Sequence, residues 1–272
     1  MYYLSGIFYP FLIGLCVGSF LNVVIYRLPE EVSIIKPRSF CPKCKTKLTW
    51  RENIPLISWL IQKNKCIHCD TSISIKYPLI ELITGVLFVF FINTSQSFYS
   101  SYSNLFFNIF FSWIFLSLLI CISLIDINKF WIPQGLINFG FISGLFGIIS
   151  IEIVNNQFNY LYLIFKSLGV SAISFFIFES LRYSAKYIFK KNAIGKGDSK
   201  LVAMLALWLG PMGTLLAVGL SYIFAAIYCL VGLSFDFIKF KQVIPFAPFL
   251  SLGGLIMWLL GNDFVLEKIL RI

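Results

Sequence analysis

The sequence predicts an all-α, polytopic membrane protein of about eight transmembrane helices, with a small cytoplasmic zinc-binding insertion after the first helix. Three observations carry that expectation. Of the 272 residues, 58% are hydrophobic and only 12% are charged, too few to clothe a soluble protein of this size. Runs of Phe, Leu and Ile long enough to cross a hydrocarbon core of about 30 Å recur along the chain. One polar stretch, 27–76, interrupts them and carries four of the seven cysteines.

Segment 1–26 reads as the first transmembrane helix. It is apolar throughout, and its Gly-Ser-Phe-Leu-Asn end is unlike the small-residue cleavage site of a removable signal. Hydrophobic length places spans at 6–26, 77–93, 105–125, 132–151, 160–181, 199–215, 216–234 and 246–261. Gly210-Pro211-Met212-Gly213 is expected to form a tight turn between two helices rather than a bend in one. The Ser- and Asn-rich stretch 93–104 reads as an outside loop. The organisation is thus a first helix (1–26), a cysteine module (27–76) and a multi-helix membrane domain (77–272).

A net charge of +10 would suggest nucleic acid in a soluble chain, but here the distribution matters more than the sum. With the N-terminus outside, all of the 22 basic residues except Lys166, Lys268 and Arg271 fall on the inner side. Both long basic stretches, 27–76 and 182–200, then face the cytoplasm, as the positive-inside rule requires. The bilayer is the expected partner of this chain. Nucleic acid is not, because the lysine-rich insertion offers no aromatic stacking pattern beyond Trp50 and Trp59.

Cys41-Pro-Lys-Cys44 and Cys66-Ile-His-Cys69 form two CxxC turns separated by 21 residues. Two such turns present four sulfurs tetrahedrally and close a zinc site with no position for water, which makes it structural. Disulfides are the competing reading, but the basic flanks place the loop where thiols stay reduced. About 50 residues bury too little core to fold well alone, so metal binding is expected to supply folding free energy. His68, the sole histidine, could replace one sulfur but reads as a solvated loop residue. Cys16, Cys121 and Cys229 lie in spans and read as small buried apolar residues.

Two carboxylates stand out against the apolar background. Asp126, in LIDINKFWIP, follows a long apolar run and lies near a helix C-terminus, where its charge opposes the helix dipole. Asp198, in AIGKGDSKL, opens a helix, so an N-cap role competes with a chemical one. A protonated carboxyl beside an ionised one can activate water and protonate a leaving amine. Lys196 and Lys200 either stabilise charge on Asp198 or face anionic lipid. No HExxH motif occurs, and no histidine is available in the spans for a triad. Glu81 reads as an interface cap or a ligand for a polar partner, and Glu179 as the ion-pair partner of Arg182 on the same helix face.

Intramembrane carboxylates also suit a transporter or proton-coupled channel, which needs a polar path on both sides. The outer halves of the spans offer only Glu152 and Lys166, which argues for a site open to one side. A zinc-anchored assembly scaffold is the non-enzymatic reading.

Several segments together resemble the type IV prepilin peptidases, membrane aspartyl proteases of the GxGD kind. They are Gly18-Ser-Phe-Leu-Asn-Val-Val-Ile-Tyr-Arg-Leu-Pro29, the CxxC pair, Tyr77-Pro-Leu-Ile-Glu-Leu-Ile-Thr-Gly85, Leu124-Ile-Asp126, Gly195-Lys-Gly-Asp-Ser-Lys-Leu201 and Ile244-Pro-Phe-Ala-Pro-Phe-Leu250. The resemblance covers nearly the whole chain. It implies that Asp126 and Asp198 are the catalytic pair and that Cys41, Cys44, Cys66 and Cys69 hold zinc. It implies a prepilin or pseudopilin precursor as substrate, cut after a glycine between a basic leader and an apolar helix, at the inner membrane of a bacterium. Many relatives of this kind also methylate the new N-terminus with S-adenosylmethionine, and the cysteine module extends that expectation here; the motifs assign no residue to it. Two departures stand out: Gln134 follows Pro133 where an acidic residue is usual, and Ala247 stands where glycine is common. Neither is expected to touch the aspartate pair.

Overall fold

The computed structural model describes residues 2–98, 102–154, 159–190, 195–239 and 242–261. Its helices are α1 (Tyr2–Arg27), α2 (Ile57–Ile61), α3 (Lys76–Phe98), α4 (Tyr102–Lys129), α5 (Gln134–Val154), α6 (Tyr160–Phe189), α7 (Lys196–Ser234) and α8 (Ala247–Leu260). Among the described residues there is no β-strand, only two isolated bridges, Phe40 with Lys47 and Lys65 with Ser72. Among the described residues five helices, α1 and α4 to α7, are long and apolar enough to cross a membrane, and α8 is a shorter apolar helix. Large hydrophobics such as Phe165, Phe176 and Leu215 lie exposed on them, as side chains facing lipid do.

The break within α7 falls at Gly210, whose φ of 71° and ψ of −176° no helix accommodates. Glycine tolerates that backbone, and Pro211 supplies a fixed φ for the next helix to start. Counting the two halves of α7 apart, eight apolar helical segments stand among the described residues where eight are expected, with the break earlier than position 215. The stretch 93–104 departs from expectation. Helix continues through Phe98 and resumes at Tyr102, because internal hydrogen bonding satisfies the backbone even where the side chains turn polar.

The chain divides into two compact units, Met1–Ser100 and Ser101–Ile272. In the first, α1 and α3 run antiparallel in close contact. A Cβ on Gly14 would come within 2.7 Å of Gly85 Cα, and one on Gly18 within 2.7 Å of Glu81 Cα. The Gly14-Leu-Cys-Val-Gly18 spacing thus gives α1 a small-residue face that lets the two backbones approach. Asn22 Nδ2 donates to the Tyr77 carbonyl at 3.1 Å, closing the same seam at its polar end. Arg27, buried at the end of α1, donates to the carbonyls of Ser33, Ile34, Pro37 and Arg38 and lies 5.6 Å from the Phe40 ring centre. One guanidinium therefore organises the whole turn leading into the cysteine module. Cys16 corrects the expectation of burial, since it lies on the exposed side of α1; Cys229 is half-buried and Cys121 buried. A thiol is apolar enough to face lipid.

In the second unit the first half of α7 is the core. Leu201, Val202, Met204 and Leu205 are essentially inaccessible and pack with Phe115, Leu119 and Ile122 of α4, Ile137 of α5, Phe178 of α6, and Leu250 and Met257 of α8. A helix apolar on every face can only be stable when enclosed in this way. Polar pins fix its register: Ser171 Oγ donates to the Ala203 carbonyl at 2.7 Å, and Trp208 Nε1 to the Gly140 carbonyl at 3.0 Å. The Trp208 ring stacks 4.8 Å from Phe115 and meets Trp258 edge-on at 5.6 Å.

Candidate functional sites: an aspartate pair and a four-cysteine cluster

Asp126 lies in the last turn of α4. That helix ends because Phe130 takes a left-handed conformation (φ 52°), with its N–H donating back to the Asp126 carbonyl at 2.9 Å. Asp126 is only 6% exposed. Its Oδ2 accepts the Ala247 N–H at 3.1 Å, one of the free amides at the start of α8. The expectation that Ala247 stays clear of the pair is therefore corrected. A helix N-terminus presents unpaired N–H groups and a positive dipole end, and this one is aimed at Asp126. The contact is made by the backbone, so either alanine or glycine can supply it.

Asp198 is the third residue of α7, not its N-cap. Gly195 holds the N-cap position, and Asp198 Oδ2 accepts the Gly195 N–H at 3.1 Å, one half of a capping box. Gly197 packs against Ile132, leaving no room for a side chain between. Asp198 is 7% exposed and within electrostatic reach of Asp126. The hydroxyl-bearing ring of Tyr222 also lies in the field of Asp198 and packs 5.1 Å from Phe246.

The neighbouring charges serve other partners. Lys200 Nζ donates to Gln134 Oε1, so Gln134 meets the lysine two residues beyond Asp198 rather than the carboxyls themselves. Glu179 forms the expected ion pair with Arg182, through the guanidinium Nε and one terminal nitrogen, and also accepts Ser199 Oγ at 2.9 Å. Ser199 is fully buried beside Asp198, so α6 grips the start of α7 through this hydroxyl. Ser199→Ala should lower the unfolding free energy in detergent by about 1.5–3 kcal/mol, the value of a hydrogen bond to a charged acceptor. An unchanged denaturation midpoint would show that the Glu179–Ser199 contact holds nothing in place.

In the first unit the four cysteines meet. The sulfurs of Cys41, Cys44, Cys66 and Cys69 all lie within 4.8 Å of one another, and Cys41 Sγ is 3.8 Å from Cys69 Sγ. An edge of about 3.8 Å is that of a tetrahedron with zinc–sulfur bonds of about 2.3 Å. The donor set fits zinc, and His68 stands outside it, with Nε2 3.2 Å from Glu52 Oε1.

The two halves of the cluster repeat one another. Cys41 N–H donates to the Thr46 carbonyl and Lys45 N–H to the Cys41 carbonyl; Cys66 with Thr71 and Asp70 with Cys66 do the same. Lys45 and Asp70 are both left-handed, with φ of 60° and 53°. Each turn closes with a threonine that donates to the second sulfur. The Thr71 hydroxyl, 3.2 Å from Cys69 Sγ, and then its amide bring that thiol down to about 6; Thr46 likewise lowers Cys44. Such donors favour the thiolate, the form that binds metal. The signal was present in the sequence as Cys-x-x-Cys-x-Thr, twice.

Glu81 and Glu52 tie this module down. Glu81 Oε2 accepts the Leu56 N–H at 2.8 Å, and Glu52 Oε2 accepts the Thr49 hydroxyl and N–H at 2.6 and 2.7 Å. The Thr49 donors, with His68 adding a smaller effect, hold the Glu52 carboxyl below the usual range.

Comparison with known proteins identifies the family. Residues 12–94 match a family model described as the bacterial peptidase A24 N-terminal domain, and residues 113–230 match the type IV leader peptidase family. A prepilin leader peptidase/N-methyltransferase of Myxococcus xanthus is 36% identical over 76% of this chain, although the match spans only 58% of that relative's length. A type 4 prepilin-like proteins leader peptide-processing enzyme of Escherichia coli is 33% identical over 89% of each chain. A prepilin leader peptidase/N-methyltransferase of Legionella pneumophila is 31% identical over 97% of this chain and 93% of its own. No solved structure matches the chain. With two family models in sequence order and relatives aligned nearly end to end, the chain belongs to the type IV leader peptidase family of membrane proteins.

Proposed function

We propose that this chain is a membrane aspartyl endopeptidase in which Asp126 and Asp198 are the catalytic pair, and that it removes the basic leader of type IV prepilins or pseudopilins. The observation that carries the reading is a pair of buried carboxyls on separate helices, each held by one backbone N–H, with Asp198 in the field of Asp126. One carboxylate takes a proton from water as the water attacks the peptide carbonyl, while the other, protonated, gives its proton to the leaving amine. The family belongs to the peptidases, and nothing in the geometry favours the transporter reading over it.

The module 27–76 is then a zinc-held insertion and 77–272 the peptidase domain. The distribution of basic residues supports a bacterial inner-membrane location with the N-terminus outside and both sites facing the cytoplasm. The names of several relatives support a second activity, N-methylation of the new terminus. A methyl group would pass from the sulfonium of S-adenosylmethionine to the amine, leaving a thioether and a proton.

Co-expression with a prepilin carrying a basic leader and a glycine at the cut site tests the reading. The expected result is a product shortened by the leader, with and without one added methyl group, read by intact mass. Full-length precursor across a panel of prepilins and pseudopilins would overturn it.

A further inference from the structure

The cysteine module reads as a soluble insertion in the sequence, yet its short helix α2 is fastened well inside the helix pair that carries it. Leu56, the residue before α2, donates its N–H to Glu81 Oε2 at 2.8 Å, and Glu81 lies in the second turn of α3. Across the seam Glu81 faces Gly18 of α1, where a Cβ would come within 2.7 Å of the Glu81 Cα. Gly18 precedes Arg27 by nine residues, so at 1.5 Å per residue this level is about 13–14 Å back from the basic end of α1. Even with the reach of one side chain, α2 starts alongside the apolar length of α1, which runs from Gly6 to Glu30.

The two sides of α2 differ. Ser58 and Trp59 turn inward, and Trp59 Nε1 donates to the Ile73 carbonyl at 3.1 Å. Ile57, Leu60 and Ile61, spaced i, i+3 and i+4, share the opposite face and are 53%, 66% and 75% exposed. Around Glu81, α3 also turns Leu79, Leu82 and Ile83 outward. Large aliphatic side chains exposed on both helices at one level form a surface suited to lipid, not water. Exposed Lys63 and Lys65 follow at once, where Lys63 and Asn64, both left-handed (φ 49° and 58°), turn the chain off the helix. From Leu28 to Ile75 the chain carries eight basic and four acidic residues, an excess that complements an anionic surface.

We propose that α2 is seated in the bilayer: Ile57, Leu60 and Ile61 enter the acyl region of the leaflet at the Arg27 end of α1, and Lys63 and Lys65 meet its anionic phosphates. The orientation proposed above makes this the cytoplasmic leaflet. Amphipathic helices at such a boundary lie about 5–10 Å into the headgroup and acyl layer. Five residues are too few to hold a bilayer alone, but the Glu81 contact already sets their depth. The lipid contact orients the module and does not fold it.

The test is photolabelling of the full-length, zinc-loaded protein in vesicles of phosphatidylglycerol and phosphatidylethanolamine, using a phospholipid with a diazirine in its acyl chain. Mapped by peptide, wild type should carry label on α2 as well as on α1 and α3. Label on α1 and α3 with none on α2 overturns the proposal, and this arm needs no variant. The double variant Leu60→Gln, Ile61→Gln should lose label on α2 about tenfold or more relative to α3 while keeping one zinc per chain. Undiminished label on α2 in that variant overturns the role of this face.

In vesicles of phosphatidylcholine alone, label on α2 should fall about fivefold or more, and Lys63→Gln, Lys65→Gln should give that lower value in either lipid. Equal label in both lipids for wild type overturns the phosphate contact. Cross-links from α2 to a second copy of the chain, in place of lipid, would make this face an interface between copies and overturn the lipid assignment.

Discussion

Asp126→Asn and Asp198→Asn should each lower prepilin cleavage by about 10²–10⁴-fold or more, the range associated with losing a positioned general acid or base. In the proposed mechanism the two carboxyls act as a unit, so the double variant should be little worse than either single one. Asparagine is nearly isosteric and keeps an acceptor oxygen, so the Ala247 N–H and the Gly195 N–H retain their partners. Folding and membrane insertion should therefore survive, and the thermal midpoint in detergent should move little. Appearance of mature product at the wild-type rate from either single variant would remove that residue from the chemistry. A large fall in midpoint alongside lost cleavage would instead assign the residue a structural role, since Asp198 also caps α7.

Much of this arrangement was legible because the bilayer simplifies the code. Apolar length locates helices because a helix satisfies its backbone hydrogen bonds within a single segment, so a long apolar run can cross lipid by itself. The break at Gly210 was readable from Gly-Pro, since one residue tolerates a positive φ and the next lacks an N–H. The two aspartates were legible because a carboxylate is conspicuous among Leu, Ile and Phe.

What holds the aspartates was not legible. Ala247 reaches Asp126 through its backbone, 121 positions along the chain, and no side-chain pattern encodes an amide. Ser199 meets Glu179 only because α6 packs on α7 with one particular register. Asp198 at N3 rather than at the N-cap is a shift of three residues, below the accuracy with which helix starts can be read. Cys16 could not be assigned to an inner or outer face because α1 carries apolar residues all round, and only its glycine face, Gly14 and Gly18, gives it direction.

Substituting serine for Cys41 or Cys66 should abolish zinc binding and unfold the stretch between Arg27 and Lys76, and the effect should exceed that of any single substitution elsewhere in the module. In zinc-finger peptides, structural zinc contributes roughly 10–16 kcal/mol of apparent binding free energy, which is also folding free energy. Little else here can replace it. Of the hydrophobic residues between Leu28 and Ile75, only the cysteines Cys41 and Cys66 are buried, at 7% and 4% exposure. The remaining ties are polar: the Arg27 carbonyl cage at one end, and the Glu81 link to Leu56 at the other. These fix where the module is anchored, but hydrogen bonds worth about 1 kcal/mol each cannot order some forty intervening residues at roughly 1–2 kcal/mol of backbone entropy per residue. Metal analysis of wild type should find one zinc per chain, falling to none in Cys41→Ser and Cys66→Ser, with rapid proteolysis confined to the module. Cys16→Ser, on the exposed face of α1, should keep both the zinc and the protection. If the cysteine variants lose zinc yet resist protease as wild type does, packing and not metal holds the module, and the small core would have to be stronger than its burial allows.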